Sequence, residues 1–497
     1  MILLNLVFGM LATLYALLVR PGTQVVQLTV APPRSAPTNT GVWFAVGLCD
    51  QGPSNAPVFI QSMTDFTRLL GARVSYSIMY DALNVFFREG GSQAYVGRVV
   101  GPAAAKATTN LNDAGAAVSL VVSALGPGAY GNNLKVGVTV TGGTYVIQVS
   151  DISNNILEQS PTLTTQADGV TYGETSQYIT IALGASSNPP TTKALTAMTG
   201  GNDDRGNVTD AQWAAALALF SKDLGPGNVS APGRTTDLGH TQLADHAAAN
   251  NRCAILDSPD TPTQATVTAS ATAAKATGNG QYAAFFWPWI KGPGVVAGTT
   301  SVVPPCALVA GRSSAVDASV GPAEPAAGLA NGVSSWAVDV SQPAIDDNTR
   351  QTWNTQGINV VRDIYGAPTI YGWRSLADPV NNPYWVPLGT GRYLMGLAAR
   401  AAAVGEQYVF DMIDGQGHTI AAYGGALTSL VMADWNAGEI YGATSDQAFN
   451  VDVGPAVNTP AVLANNELRA VIAVRPSPMA ELVTIEIVNT PITQAVA

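Results

Sequence analysis

The sequence predicts an α/β core, a mixed sheet with flanking helices, that carries an inserted β-rich domain and extended N- and C-terminal arm strands. Three observations lead to this fold class. The chain of 497 residues is too long for one ordinary core, so two to four domains are expected. Apolar strands alternate with capped helices from Trp43 onward, whereas residues 118–195 are rich in short β runs and turns. Strand-like segments near both ends stand apart from the rest behind proline-containing segments.

The low fraction of charged residues and the negative net charge restrict the kinds of protein that this chain can be. Charged residues make up only 11%, well below the roughly 25% of an average soluble protein. Such a chain either has a large interior or covers its surface with other chains, and we favour the second because monomers need charged surface to stay apart. The formal net charge of -11 argues against nucleic-acid binding, which requires a basic surface.

Three cysteines, Cys49, Cys253 and Cys306, lie far apart in the sequence. Their odd number and wide spacing match neither a disulfide framework nor a zinc site. We expect buried, reduced thiols, which fits assembly in a reducing cytoplasm.

The first part of the α/β body follows Trp43. Residues 43–48 have the pattern of a buried strand, residues 64–70 and 77–88 of two helices, and residues 95–100 of a second strand. Two strands joined through helices indicate a βαβ-like layer.

The pattern changes between residues 105 and 200. Four β-rich runs, residues 118–123, 134–141, 144–149 and 178–183, alternate with turns, and the step Gly142-Gly143 predicts a hairpin. We interpret this part as a β-rich domain inserted into the α/β body.

The α/β pattern then resumes. Thr209 with Gln212 predicts a capping box, and the helix that it starts is expected to continue to Gly225. Further helices are predicted at residues 242–250, 263–276, 391–407 and 419–435, and further strands at residues 253–256, 282–287, 358–362, 369–371, 468–474 and 482–488.

Two segments are candidates for strands donated to another subunit's sheet, because a strand at the end of an extended linker cannot bury itself locally. The first follows Arg20-Pro21-Gly22 and precedes a proline-rich link, and the second follows residues 475–478. The predicted intersubunit arm residues are Val25, Val26, Gln27, Leu28, Thr29, Val30, Thr484, Ile485, Glu486, Ile487 and Val488.

Residues 1–19 carry no charge. As a helix they would be about 28 Å long, just enough to span a bilayer. They lack the basic region and the cleavage site of a signal peptide. We favour a helix packed on a partner, or an upstream extension, over a membrane anchor.

A search for catalytic chemistry finds no motif. The only histidines are His240, His246 and His418, and six residues is the wrong spacing for one helical face, so we expect surface or turn histidines. Ser313 and Ser314 do not form a nucleophile elbow.

The paired carboxylates and the glycine loop also indicate no functional site. Asp203-Asp204 and Asp346-Asp347 are adjacent residues whose side chains diverge, so solvated loops are expected at both places. Residues 292–294 lack the spacing and the lysine of a phosphate-binding loop, and metal-ligand spacing is absent. The sequence therefore predicts no catalytic residue, no metal and no cofactor.

Many segments resemble, in the same order, those of the contractile tail sheath family of myovirus-type phages. The strongest matches are residues 86–99 and 128–134, although Gln24 stands where that family commonly has an aromatic residue. The resemblance covers nearly all of residues 20–490, and its other matches are residues 20–23, 41–47, 51–53, 65–66, 70–71, 254–259, 304–311, 357–362, 371–376 and 474–483.

The resemblance implies a structural subunit that forms stacked hexameric rings around a tail tube, exchanges arms with its neighbours and contracts to drive the tube through the cell envelope. It implies the tube, baseplate and tail terminator proteins as partners, and a place in the virion tail after assembly in the host cytoplasm. The expected division is residues 1–40 (extension and arm), 41–104 with 201–345 (α/β sheath domain), 105–200 (inserted domain), 346–480 (C-terminal α/β core) and 481–497 (arm).

Three alternatives remain open at this stage. The sheath of a bacterial contractile injection system fits the same motifs. A subtilisin-like or similar α/β hydrolase is a different class, but it lacks its triad motifs. A membrane-tethered β-rich surface protein would rest on residues 1–19 alone.

Overall fold

The structure is a computed structural model, and it describes residues 37–484. Its strands, in chain order, are β1 Trp43–Leu48, β2 Val58–Ile60, β3 Ala94–Val99, β4 Thr108–Asn112, β5 Val118–Ala124, β6 Lys135–Thr141, β7 Thr144–Ser150, β8 Ile156–Gln159, β9 Ile179–Leu183, β10 Lys193–Ala197, β11 Asn228–Ser230, β12 Cys253–Asp257, β13 Ala283–Trp287, β14 Ile290–Pro293, β15 Thr300–Val303, β16 Asp339–Val340, β17 Ile358–Ile364, β18 Ala367–Ile370, β19 Phe449–Asp452 and β20 Val471–Val474.

The α-helices of the same region are α1 Met63–Leu70, α2 Met79–Arg88, α3 Gln166–Thr175, α4 Asp210–Ala218, α5 Asp237–Asn250, α6 Gln264–Lys275, α7 Pro305–Ser319, α8 Gly328–Asn331, α9 Asp347–Gln356, α10 Leu388–Gly405, α11 His418–Asn436, α12 Ser445–Ala448 and α13 Pro460–Ala464. The fold is therefore mixed α/β, as predicted. Within residues 37–484, no helix combines the length and the hydropathy that crossing a membrane requires.

An eight-stranded sheet with the order β18-β17-β13-β12-β11-β1-β3-β2 forms the body. The six inner strands run parallel, and the edge strands β2 and β18 pair antiparallel with their neighbours. A parallel sheet is covered by helices on both faces, which explains why β1, β12 and β13 have near-continuous apolar sequences.

Alternate residues of these strands fill two different cores. Trp43 and Phe286 lie on the face that packs against α2 and α7, whereas Phe44 and Phe285 lie on the face that packs against α4, α5 and α6. All four side chains are fully buried. The predicted strands at residues 43–48 and 282–287 are thereby confirmed.

Residues 105–200 form two antiparallel sheets, β4-β5-β9 and β10-β6-β7-β8, around a hydrophobic core of their own. The predicted hairpin is confirmed: Thr141 pairs with Thr144, and both Gly142 and Gly143 have positive φ angles, as a two-residue turn of type I′ requires. Helix α3 was not predicted. Its N-terminus is a capping box of Thr165 and Asp168, and its hydrophobic periodicity is too weak to mark a helix.

Two predictions about local structure are corrected. The capping box of Thr209 and Gln212 is present, but its helix ends at Ala218, and a separate 3₁₀ turn, Lys222–Leu224, precedes Gly225. Asp346 and Asp347 are exposed to solvent, as expected, but they do not lie in a loop, because Asp346 accepts a hydrogen bond from the Thr349 N–H and so begins α9.

Helix α7 was not foreseen either. Its residues from Pro305 to Ala310 are all buried, as are Ser313 and Ser314, so no polar face gives the segment a helical period.

The predicted arm residues lie at the limits of the structure. Val25, Val26, Gln27, Leu28, Thr29 and Val30, and also Ile485, Glu486, Ile487 and Val488, lie outside the described residues, and Thr484 is the last residue within them. Thr484 and its neighbours Leu482 and Val483 are exposed and belong to no strand.

Candidate assembly interface

The C-terminal lobe, residues 388–477, is built from helices α10 and α11 and the two-stranded sheet β19-β20. Phe449 pairs with Val474 and Asp452 with Val471 in an antiparallel register. The side chains of Phe449, Val451, Ile472 and Val474 pack against the core of the lobe, which includes Val431. An isolated two-stranded sheet is only marginally stable in water, so this one depends on the helices behind it.

Three backbone hydrogen bonds show which edge of β20 is occupied. Arg475 donates its N–H to Ala448 and accepts from Tyr441, and Ser477 donates to Glu439. The N–H and C=O groups of one residue in a strand point to the same side, so residues 439–441 and 448–452 both lie along one side of residues 471–477.

On the other side of β20 lie the backbone N–H and C=O groups of the residues that alternate with Arg475 and Ser477. The N–H and C=O groups of Ile472 and Val474 and the C=O of Pro476 point away from β19, and no backbone partner for them is found within residues 37–484. By the same alternation, Phe449 and Val451 present their N–H and C=O groups on the outer side of β19. The described part of the lobe therefore has two open sheet edges, and open edges are templates for another strand.

Asn458 fixes the loop between the two strands. Its Nδ2 donates to the carbonyls of Val453 and Arg469, each at 2.8 Å, and its Oδ1 accepts from the Arg469 N–H at 2.8 Å. A buried side chain that closes both ends of a loop keeps the two strands in register, so the edges are rigid before any partner binds.

Charge is unevenly distributed between this lobe and the N-terminal segment. Residues 401–468 contain no lysine or arginine, and their acidic residues are Glu406, Asp411, Asp414, Asp434, Glu439, Asp446, Asp452 and Glu467. Residues 1–49 contain no acidic residue, and their basic residues are Arg20 and Arg34. The two segments are therefore electrostatically complementary.

Two buried ion pairs support the lobe. Arg392 on α10 donates to Asp317 on α7 at 2.9 and 2.6 Å, and Thr40 donates to the same carboxylate at 2.6 Å. Arg400 donates to Asp434 at 2.5 and 3.0 Å. The first pair joins the lobe to the body, and the second joins α10 to α11.

The C-terminal segment leaves the lobe beside a surface ion pair. The guanidinium group of Arg374 donates to the Glu481 carboxylate from both Nε and Nη2. Beyond this contact Leu482 and Val483 are exposed apolar residues.

Of the histidines considered for catalysis, His240 and His246 lie in the α/β body and His418 lies in the C-terminal lobe. The prediction of surface histidines is wrong for His240 and His246: His240 is fully buried with its Nε2 3.0 Å from the Asp257 carbonyl, and His246 Nε2 lies 2.9 Å from the buried Arg252. Burial lowers the pKa of both, that of His246 to about 4. His418 is exposed at the start of α11. Sequence spacing missed these contacts because the partners come from other elements.

The three cysteines are buried and free, as predicted. Burial raises the pKa of Cys49 and of Cys253 to about 12, and that of Cys306 well above its usual range. Asp257 has a pKa of about 6 for the same reason, and it accepts hydrogen bonds from the N–H groups of Gly233 and Cys306. In residues 37–484 no group of three or more His, Cys, Asp or Glu side chains is arranged to hold a metal ion.

No protein-family model and no curated protein sequence matches the chain. Solved structures do match. The sheath tail protein of Listeria innocua is 14% identical with a TM-score of 0.59, over 85% of this chain and 90% of that one. The chain has the fold of tail sheath proteins. A sheath tail protein of Desulfitobacterium hafniense is 13% identical with a TM-score of 0.54, over 86% and 93%.

Two chains of the anti-feeding prophage share this fold. A chain of the contracted baseplate of the anti-feeding prophage is 17% identical with a TM-score of 0.56, over 95% of this chain and 98% of that one. A chain of the contracted helical sheath of the same particle is 16% identical with a TM-score of 0.54, over 94% and 98%. The likeness in fold thus extends over most of the length of the sheath tail proteins and of the anti-feeding prophage chains.

Proposed function

We propose that this chain is the structural subunit of a contractile tail sheath. The observation that carries the proposal is the C-terminal lobe, which offers two open and rigid sheet edges and releases an apolar C-terminal segment beside them. The likeness to sheath structures over nearly the full chain supports the same conclusion, and a low charge fraction suits a subunit whose surface is covered by copies of itself.

In the proposed assembly, each lobe accepts strands from neighbouring subunits by β-augmentation. Residues Val25 to Val30 of one neighbour and Thr484 to Val488 of another add to the outer edges of β19 and β20. The N-terminal segment brings Arg20 and Arg34 to a lobe whose residues 401–468 carry only acidic charges. This attraction steers the arm to the lobe, and backbone hydrogen bonds then hold it.

The proposed subunits form stacked hexameric rings around a tail tube, and they contract to drive the tube through the cell envelope. The linked arms keep neighbours connected while the bodies rotate, and the energy is stored as contacts that form only in the contracted state. Tube, baseplate and tail terminator proteins are the proposed partners. The proposed place is the virion tail, with assembly in the host cytoplasm and with no enzymatic activity, cofactor or nucleic acid.

The domain division is part of the proposal. Residues 41–104 and 201–345 form the sheath body, residues 105–200 are inserted into it, residues 346–480 form the C-terminal core, and residues 1–40 and 481–497 include the arms. The separate core around Tyr145 and Ile147 supports the insertion, since a domain with its own core folds as a unit.

The test is assembly of the purified chain, followed by negative-stain electron microscopy. We expect tubes or rings at high concentration, and we expect a version lacking residues 1–30 to be folded but unable to form them. A full-length chain that stays monomeric under all assembly conditions would contradict the proposal, and normal tubes from the truncated chain would contradict the arm model alone.

The sheath of a bacterial contractile injection system is a second candidate, favoured by the likeness to the anti-feeding prophage chains. The two candidates share the subunit mechanism and differ in the particle. Capsid and terminase genes beside this gene would identify a phage, and their absence from a complete cluster would identify an injection system.

A further inference from the structure

Glu439 is an acidic residue in excess at a buried charge cluster. Asp317 is paired with Arg392, and Asp434 is paired with Arg400, so each of these carboxylates already has its cation. The Glu439 carboxyl lies among them, and its Oε2 is buried without a hydrogen-bond partner in the described residues. An ionised Glu439 therefore leaves one uncompensated negative charge in the cluster.

The charged and titratable groups that act on this carboxyl are Asp317 on α7, Tyr393 and Arg400 on α10, and Asp434 on α11. Arg392 is paired with Asp317, and the side chain of Arg475 is exposed. The pKa of Glu439 is raised to about 7, chiefly by burial and also by the negative charges of Asp434 and Asp317, while Arg400 opposes these effects.

The carboxyl group of Glu439 is packed against the backbone of the body. A Cβ atom at Gly321 would overlap Glu439 Oε1, so the carboxyl lies directly on that stretch of backbone. On the other side, the Glu439 N–H donates to the Asp434 carbonyl at 3.1 Å, and its C=O accepts from the Ser477 N–H at 2.9 Å. The residue that carries the carboxyl therefore also holds Ser477 through its backbone.

This contact is the first point of attachment of the C-terminal segment. Besides the Ser477 bond, Tyr441 donates to the Arg475 carbonyl at 2.7 Å, and Ile440 bridges to Pro476. Residues 439–441 thus hold residues 475–477, immediately before the chain continues to the proposed C-terminal arm.

We propose that Glu439 is a proton-dependent latch: its neutral carboxylic acid keeps residues 439–441 paired with residues 475–477, and its ionisation loosens that pairing. In the opened state the Glu439 carboxyl is in water and has the usual pKa of a glutamate. The closed state, where the pKa is higher, therefore binds the proton more tightly. The closed state is therefore favoured at low pH, and it weakens as the pH rises through the physiological range. The inference goes beyond the sheath proposal and does not depend on it.

Hydrogen exchange of the full-length chain tests the latch. The readout is the protection of the Ser477 and Tyr441 amides, corrected for the intrinsic exchange rate at each pH. Between pH 6 and pH 8 we expect the opening equilibrium constant of the wild-type chain to rise about tenfold. Glu439→Gln keeps the shape and has no ionisable proton, so its opening constant should be independent of pH. Glu406→Gln, an exposed acid in the same lobe, is the matched control and should behave as the wild type.

Two results would overturn the latch. One is a wild-type opening constant that does not change between pH 6 and pH 8. The other is a Glu439→Gln chain that keeps the tenfold change, which would assign the titration to another group. If Glu439→Gln does not fold, Glu439→Leu fills the same space without an ionisable proton and is judged by the same two criteria.

Discussion

Arg392 donates two hydrogen bonds to the Asp317 carboxylate where both side chains are almost completely withdrawn from solvent, only 2% and 3% exposed. The pair joins the first helix of the C-terminal lobe to the central helix α7 of the body. The pair is one of the contacts that fix the orientation of the lobe, and of the sheet edges on it, relative to the body.

Removal of one partner of this pair should destabilise the chain strongly. For Asp317→Ala we expect a loss of about 3–5 kcal/mol in the free energy of unfolding, because Arg392 is left as an uncompensated buried charge. Urea denaturation followed by fluorescence measures the change. Glu467→Ala removes half of the exposed pair with Arg469 and should cost no more than about 1 kcal/mol. Equal effects from the two substitutions would show that the Arg392–Asp317 pair has no special role.

Blocking the outer edge of β20 should abolish polymerisation without unfolding the subunit. Val474→Pro removes the outward N–H of Val474, and proline is tolerated where the N–H of an edge strand faces outward. We expect a folded chain by circular dichroism and no tubes by electron microscopy.

The control for this prediction is Ala473→Val, which changes an exposed side chain and keeps every backbone N–H of the strand. Its tubes should be normal. Tubes from Val474→Pro that match those of the wild type would exclude the outer edge of β20 as an acceptor.

Arm docking should depend on salt. The only charged side chains of residues 1–49 are those of Arg20 and Arg34, and the lobe segment 401–468 has no lysine or arginine. Between about 0.1 M and 1 M salt the Debye length falls from roughly 10 Å to 3 Å, so the rate of polymerisation, followed by light scattering, should fall. The double substitution Arg20→Gln with Arg34→Gln should remove most of this dependence. An unchanged salt dependence would place the electrostatic attraction elsewhere.

The cysteine thiols should be unreactive in the folded chain. Cys49, Cys253 and Cys306 are buried, and burial keeps their pKa values far above neutrality, so no thiolate is available at pH 8. A thiol-reactive dye should label none of them in the native chain and all three in denaturant. A cysteine introduced at the exposed position Ser429 should react at once and serves as the positive control. Rapid native labelling of an original cysteine would contradict its burial.

Much of the fold could be predicted because its signals are local. The capping box of Thr209 with Gln212 and the turn at Gly142-Gly143 depend on a few adjacent residues, and both form as expected. Helix α7 could not be found in this way, because a helix buried on almost every side has no polar stripe. His240 was misjudged for a related reason: its partner is the carbonyl of Asp257 on another element.

By itself, the sequence determined the α/β class, the burial of the cysteines, the low charge and the separation of acidic from basic segments. Only the tertiary structure decided that, within the described residues, the outer edges of β19 and β20 stay open and that Glu439 has no basic side chain of its own to pair with. Residues 439–441 and 448–452 meet the same side of residues 471–477, and Glu439 meets Asp317 and Asp434, through contacts between separate elements. Composition and residue spacing do not predict such contacts, because these hydrogen bonds and ion pairs form between parts of the chain that are distant in sequence and that only the fold brings together.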